Sequence, residues 1–157
     1  LIALSLDGTV LFWKEKMRTY FAYGSNLDVE QMSVRCRGAR PLSTAVLMEH
    51  RFRINGQGVA TVIPSPESRV HGLLWSLTEE HERDLDEYEG VDEGVYSKET
   101  RRVTSFSGEP VDALIYVAAD VTEGPPLPEY LERILAAVSR LSFPPEYQRE
   151  LRGWQRR

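Results

Sequence analysis

At 157 residues, with 41% hydrophobic and 27% charged content, the chain is long enough to bury one core, and a single domain is expected. A formal net charge of -5 excludes nucleic acid as a main partner, because neutralising phosphates requires a concentration of Lys and Arg. The single cysteine, Cys36, leaves no intrachain disulfide and points to a cytoplasmic location.

The first sixteen residues, 1–16, are read as an N-terminal extension, since Met17 opens the run Arg18-Thr19-Tyr20-Phe21-Ala22-Tyr23 as a natural start would. Leu1 to Leu6 is apolar but has no basic region before it and no small-residue cleavage site after it, so no signal peptide is expected. It is also too short to span a membrane. Asp7-Gly8 between apolar runs is a hairpin signal, with a disordered segment as the alternative.

Residues 17–157 then read as one α+β domain with a curved, barrel-like mixed sheet flanked by a few helices. Strands are expected at 18–23, 42–48, 59–63, 70–77, 95–103 and 111–118, where β-rich runs are punctuated by Gly, Pro and Ser. Helices are expected at 28–36, 79–89 and 127–141, with a short fourth at 145–152. Helical spacing from Met32 gives Cys36 a core role rather than that of a nucleophile. His50, His71 and His81 lack the spacing of a metal site, so no metal is implied. Arg149, Arg152, Arg156 and Arg157 read as a solvated helix face and tail.

Two segments could carry chemistry. In the first, Tyr20-Phe21-Ala22-Tyr23-Gly24-Ser25-Asn26-Leu27-Asp28, an aromatic strand reaches a glycine turn and a helix begins at a Ser25 or Asn26 cap. Unsatisfied N–H donors at such a start can hold a carboxylate or a developing oxyanion, although an ordinary strand-to-helix turn has the same pattern. In the second, Thr78 suits an N-cap, Gly90 suits the residue just past the helix end, and Leu85 and Tyr88 share an inward face. Glu89 then falls in the last helical turn. There the helix dipole and the neighbouring acids Asp86, Glu87, Asp92 and Glu93 are expected to raise its pKa, which suits an acid/base residue. A solvated acidic helix end is the alternative.

Together the segments resemble the γ-glutamylcyclotransferase (AIG2-like) family. The resemblance rests on Tyr20 to Leu27 followed by Leu85-Asp86-Glu87-Tyr88-Glu89-Gly90-Val91, Gly94-Val95-Tyr96 and Ile115-Tyr116. Leu127-Pro128-Glu129-Tyr130-Leu131 and Pro144-Pro145-Glu146-Tyr147 are similar to that family's C-terminal pattern. It implies a cofactor-independent cyclising lyase or acyltransferase that releases the amine from a γ-glutamyl substrate and leaves 5-oxoproline. It also implies a glutamyl-binding turn at Tyr20, Phe21, Ala22, Tyr23, Gly24, Ser25 and Asn26, with Glu89 catalytic. Tyr116 and Tyr130 look similar to pocket tyrosines, with half-buried core aromatics as the alternative.

The expected partner is a small γ-glutamyl molecule, with no nucleic acid and no membrane, acting on a monomer or homodimer. Because the substrate's own α-amine attacks its own γ-carbonyl, no Ser or Cys nucleophile is needed. The alternatives are a γ-glutamylamine or isopeptide cyclotransferase of a biosynthetic pathway, and a binding module without turnover.

Overall fold

The computed structural model describes residues 2–4, 10–12 and 15–157. Near the N-terminus β1 (Ile2–Leu4) pairs antiparallel with β2 (Val10–Phe12), placing Ile2 opposite Phe12 in a two-stranded sheet of their own. The Asp7-Gly8 turn expected between them lies outside the described residues.

Five longer strands close into a barrel. These are β3 (Arg18–Ala22), β4 (Arg40–Ile54), β5 (Ala60–Leu77), β6 (Tyr96–Ser105) and β7 (Pro110–Ala118), in the spatial order β3-β5-β4-β6-β7. Four neighbouring pairs are antiparallel, and one parallel contact, Tyr20 opposite Leu114, joins β7 back to β3. The sheet is therefore mixed and closed, as the strand pattern predicts. Closure leaves these strands no open edge and turns alternate side chains into a common interior. Phe21, Phe52, Trp75, Leu77 and Ile115, from four of these strands, are all fully buried, and each buried side chain of this size contributes about 1.5–3 kcal/mol.

Two strands are longer than the sequence suggests. The prolines Pro64 and Pro66 divide 59–63 from 70–77 in the sequence, yet both halves belong to β5 and pair with the same neighbour. The register explains this. His50 faces Pro64 while Met48 faces Arg69, so residues 65–68 form an excursion opposite Glu49, whose φ is 58°. A hydrogen bond of 2.7 Å between the Ser65 and Ser68 hydroxyls spans that excursion. Beyond Glu49, β4 runs on to Ile54 with Phe52 and Ile54 buried and Arg51 exposed.

The helices flank the barrel. A 3₁₀ turn, Ser25–Leu27, follows β3 and leads into α1 (Val29–Arg35), whose cap is Asp28, accepting from the Glu30 N–H at 3.0 Å. This corrects the expected Ser25 or Asn26 cap: neither residue caps a helix, and both side chains are engaged elsewhere. Next comes α2 (Glu79–Tyr88), where Thr78 and His81 cap each other reciprocally. It stops at Gly90, whose φ of 62° lets the Gly90 and Val91 N–H groups turn back onto the carbonyls of Glu87 and Asp86. Leu85 is fully buried, but Tyr88 is 56% exposed, so the expected common inward face holds only for Leu85. The chain ends with α3 (Pro128–Ser139), α4 (Pro145–Arg152) and a 3₁₀ turn, Gly153–Arg156. Among the described residues no helix is long and apolar enough to cross a membrane.

Candidate active site

Where β3 leaves the barrel, Gly24 begins a tight turn whose carbonyl accepts from the Leu27 N–H at 3.0 Å. The first N–H groups of such a turn have no partner within it, so they are donors available to an anion. Gly24 has a φ of -112°, which any residue can adopt, so the requirement for glycine here is one of space. A β-carbon would stand 2.9 Å from the Tyr130 hydroxyl and 3.3 Å from the Ala60 β-carbon.

A cavity of about 280 Å³ opens beside this turn. Its wall is largely phenolic: Tyr20, Tyr23, Tyr96, Tyr116 and Tyr130 line it, and the exposed Tyr88 stands at its mouth. Burial holds the Tyr20, Tyr23, Tyr96 and Tyr116 hydroxyls well above the usual phenol range and pushes Tyr130 up to about 12. All five are therefore neutral hydrogen-bonding groups at ordinary pH. Several are fixed by partners in the barrel. Tyr23 donates to the Tyr116 carbonyl at 2.5 Å, and Tyr116 donates to Asp86 at 2.7 Å. Asp86 in turn accepts from Lys98 at 2.7 Å. The Ala60 peptide is held from both sides, its N–H donating to Tyr130 at 3.1 Å and its carbonyl accepting from Tyr96 at 2.7 Å.

Glu89 is the carboxylate of this cavity, immediately after the last residue of α2. Its side chain is 17% exposed. Burial raises its pKa above the usual carboxylate range, while the charge of Arg35 and a hydrogen bond from Asn26 lower it in part. The direction agrees with the sequence expectation, but the cause is desolvation rather than the helix dipole and neighbouring acids. Asn26 connects the two halves of the site. Its amide donates to Glu89 at 3.2 Å and to the Tyr20 hydroxyl at 3.1 Å, and its carbonyl oxygen accepts from Gln31 and Arg35, each at 3.0 Å.

Tyr20, Tyr23, Gly24, Ser25, Asn26, Glu89, Tyr116 and Tyr130 thus come together around one cavity. Phe21 and Ala22 are fully buried and do not line it. The Phe21 ring lies where a β-carbon on Gly72 would be, at 2.5 Å, in the space that glycine leaves open. Sequence reasoning passed over Arg35, Gln57, Ala60 and Tyr96 as site residues. A signal existed for Tyr96, which follows Gly94-Val95 just after the acidic helix, but none marked Gln57 or Ala60, which β5 and its preceding loop carry into the wall. Cys36 is fully buried; burial, with the charge of Asp84, pushes its thiol up to about 12, consistent with a core role.

Comparison with known proteins follows the same residues. The family model described as the AIG2-like family matches residues 69–151. The chain is 30% identical to the γ-glutamylcyclotransferase of Homo sapiens over 149 residues, covering 88% of this chain and 79% of the human protein. With the γ-glutamylcyclotransferase of Mus musculus it shares 31% identity, covering 85% and 77%. A solved γ-glutamyl cyclotransferase structure superposes with a TM-score of 0.82 at 28% identity, covering 87% of each chain.

Proposed function

The chain belongs to the AIG2-like γ-glutamylcyclotransferase family and is an enzyme of that class, and within it we propose that a γ-glutamyl amino acid or γ-glutamyl amine is converted to 5-oxoproline and the free amine, with Glu89 as the acid/base. The observation that carries this reading is the position of Glu89, a mostly buried carboxylate of raised pKa sharing one phenol-lined cavity with the Gly24 turn.

The chemistry needs few protein groups. At neutral pH the substrate's α-amine is an ammonium, and Glu89 takes one of its protons. The freed amine nitrogen then attacks the γ-carbonyl carbon of the same molecule, forming the ring C–N bond and placing negative charge on the carbonyl oxygen. As the tetrahedral species collapses, the bond to the leaving amine breaks, Glu89 returns its proton to that nitrogen, and the ring nitrogen gives up its second proton, which the departing amine takes up as it becomes an ammonium in water. General acid/base help of this kind is worth about 10²–10⁴ in rate. Because nucleophile and electrophile belong to one molecule, holding it folded supplies much of the remainder.

The Gly24-Ser25 N–H donors suit the substrate's carboxylate or the developing oxyanion, and the neutral phenols suit its polar edges without adding charge. A cytoplasmic location fits the buried, unpaired Cys36. Incubation with a panel of γ-glutamyl amino acids, γ-glutamyl-ε-lysine and γ-glutamyl polyamines tests the reading by the appearance of 5-oxoproline. Formation from none of them, with ligand binding retained, would instead identify a binding module.

A further inference from the structure

We propose that Arg35 is a positioning residue that fixes which way the Asn26 amide faces and thereby holds the Glu89 carboxylate in its charged, proton-accepting form. The inference rests on Glu89 being the acid/base.

Asn26 is 3% exposed, and its hydrogen bonds are divided by kind. On one side its oxygen accepts from two donors, Gln31 Nε2 and Arg35 Nη1; on the other its nitrogen donates to the Tyr20 hydroxyl and to Glu89 Oε1. Rotating the amide by half a turn would set its N–H₂ against the guanidinium and its oxygen against the carboxylate. Gln31 cannot prevent that rotation alone, because its own amide can rotate and offer an oxygen instead. Arg35 can prevent it, since a guanidinium has donors only and remains protonated throughout the working pH range. The direction of Asn26 therefore follows from Arg35.

Arg35 is itself well held. It lies on the last turn of α1, its guanidinium is 4.8 Å from the centre of the Tyr88 ring, and its side chain is 25% exposed. The nearest approach of Arg35 Nη1 to Glu89 Oε1 is 4.0 Å, too long for a hydrogen bond but close enough for its charge to be felt. Other groups around Glu89 are Asp86 and Tyr88 from its own helix and the phenols of Tyr20, Tyr23, Tyr96, Tyr116 and Tyr130 from the barrel and α3. Arg35 is the cation among the residues lining this cavity. Its removal takes away a positive charge and releases the donor from Asn26, and both changes favour the protonated carboxyl. The acid limb of the rate profile must then move to higher pH.

The test compares Arg35→Gln, which can accept as well as donate and is neutral, with Arg35→Lys, which keeps the charge and donates only. Two readouts are taken on each folded variant: kcat/KM for 5-oxoproline formation across pH 5 to 9, and the titration of Glu89 by carboxyl ¹³C NMR. With Arg35→Gln the acid limb and the NMR titration both move up by about one pH unit, as expected for losing an opposite charge 4.0 Å away. Arg35→Lys returns most of that shift. A uniform loss of rate at every pH, with the Glu89 titration unmoved in Arg35→Gln, would overturn the proposal and leave Arg35 a structural or substrate-contacting residue. Glu89→Gln in the same assay separates the two readings: full turnover in that variant removes Glu89 from the chemistry, while the NMR titration still reports whether Arg35 controls its proton.

Discussion

The Tyr130 hydroxyl stands 2.9 Å from the point that a Gly24 β-carbon would occupy, although the two residues are more than a hundred positions apart in the chain. That hydroxyl also accepts from the Ala60 N–H. Gly24→Ala must therefore displace either the turn or a phenol that has a partner. The expected outcome is a stability cost of about 1–3 kcal/mol by urea unfolding, typical of overpacking. A loss of roughly 10–10² in kcat/KM should accompany it, because the binding turn itself moves. Adding Tyr130→Phe removes the obstructing oxygen, so the double variant should be more stable than the summed single losses predict. Strictly additive losses would mean that the two residues do not meet.

Tyr96 offers a second test on the same wall. Its hydroxyl donates to the Ala60 carbonyl at 2.7 Å in a buried position. Tyr96→Phe leaves that carbonyl short of its donor, at a cost of about 0.5–1.5 kcal/mol for a hydrogen bond of this kind. Since Ala60 lines the cavity, loosening it should raise KM more than it lowers kcat. Steady-state kinetics beside denaturant unfolding check both parts, and an unchanged KM would make Tyr96 purely architectural.

How far the sequence foretold this site depends on how local each contact is. The turn at Gly24, the end of α2 at Gly90 and the mixed barrel all follow from short-range patterns, and all are present. Read locally, Asn26 fits a cap, because its partner Glu89 lies sixty-three residues away, a pairing no local pattern contains. Along the chain the charged neighbours of Glu89 suggest themselves as the cause of its raised pKa, whereas burial in the cavity wall is what raises it. Pro64 and Pro66 divided β5 in two, since a register excursion opposite Glu49 is visible only once both strands are aligned.

His71 makes the stability depend on pH where β5 meets α4. Its ring packs 4.8 Å from Tyr147 and 5.7 Å from Phe143. Burial lowers its pKa below the usual 6.5, helped by the charge of Arg69 and opposed by Glu146. A histidine depressed in the folded state contributes stability that is present above 6.5 and is lost as the pH falls through the folded value. His71→Gln cannot take up that proton. The parent should therefore lose stability relative to the variant between about pH 6.5 and 5, as followed by urea midpoints. A constant difference over that window would show that His71 is as easily protonated folded as unfolded.

Glu89→Gln is the decisive variant for function. The amide nearly matches the acid in size, so Asn26 can still donate to the remaining carbonyl oxygen and the end of α2 should pack as before. Stability should not suffer. A carboxyl whose folded pKa is raised contributes stability that is fully present below its ordinary value of 4.5 and is lost as pH rises through the folded value. The parent loses that contribution as the pH rises, while the glutamine variant has no carboxyl to ionise, so towards higher pH the variant should melt at the same temperature or higher. Turnover is expected to respond differently. An amide cannot take a proton from the α-ammonium, and 5-oxoproline formation should fall by at least roughly 10² while a γ-glutamyl ligand still binds. Glu87→Gln is the matched control, because Glu87 is exposed and is not among the residues lining the cavity; its kcat/KM should stay close to that of the parent. Loss of activity in Glu87→Gln with retention in Glu89→Gln would move the acid/base assignment away from Glu89. Loss in Glu89→Gln alone, with melting unchanged, ties the chemistry to the one carboxylate that Asn26 holds against the glycine turn.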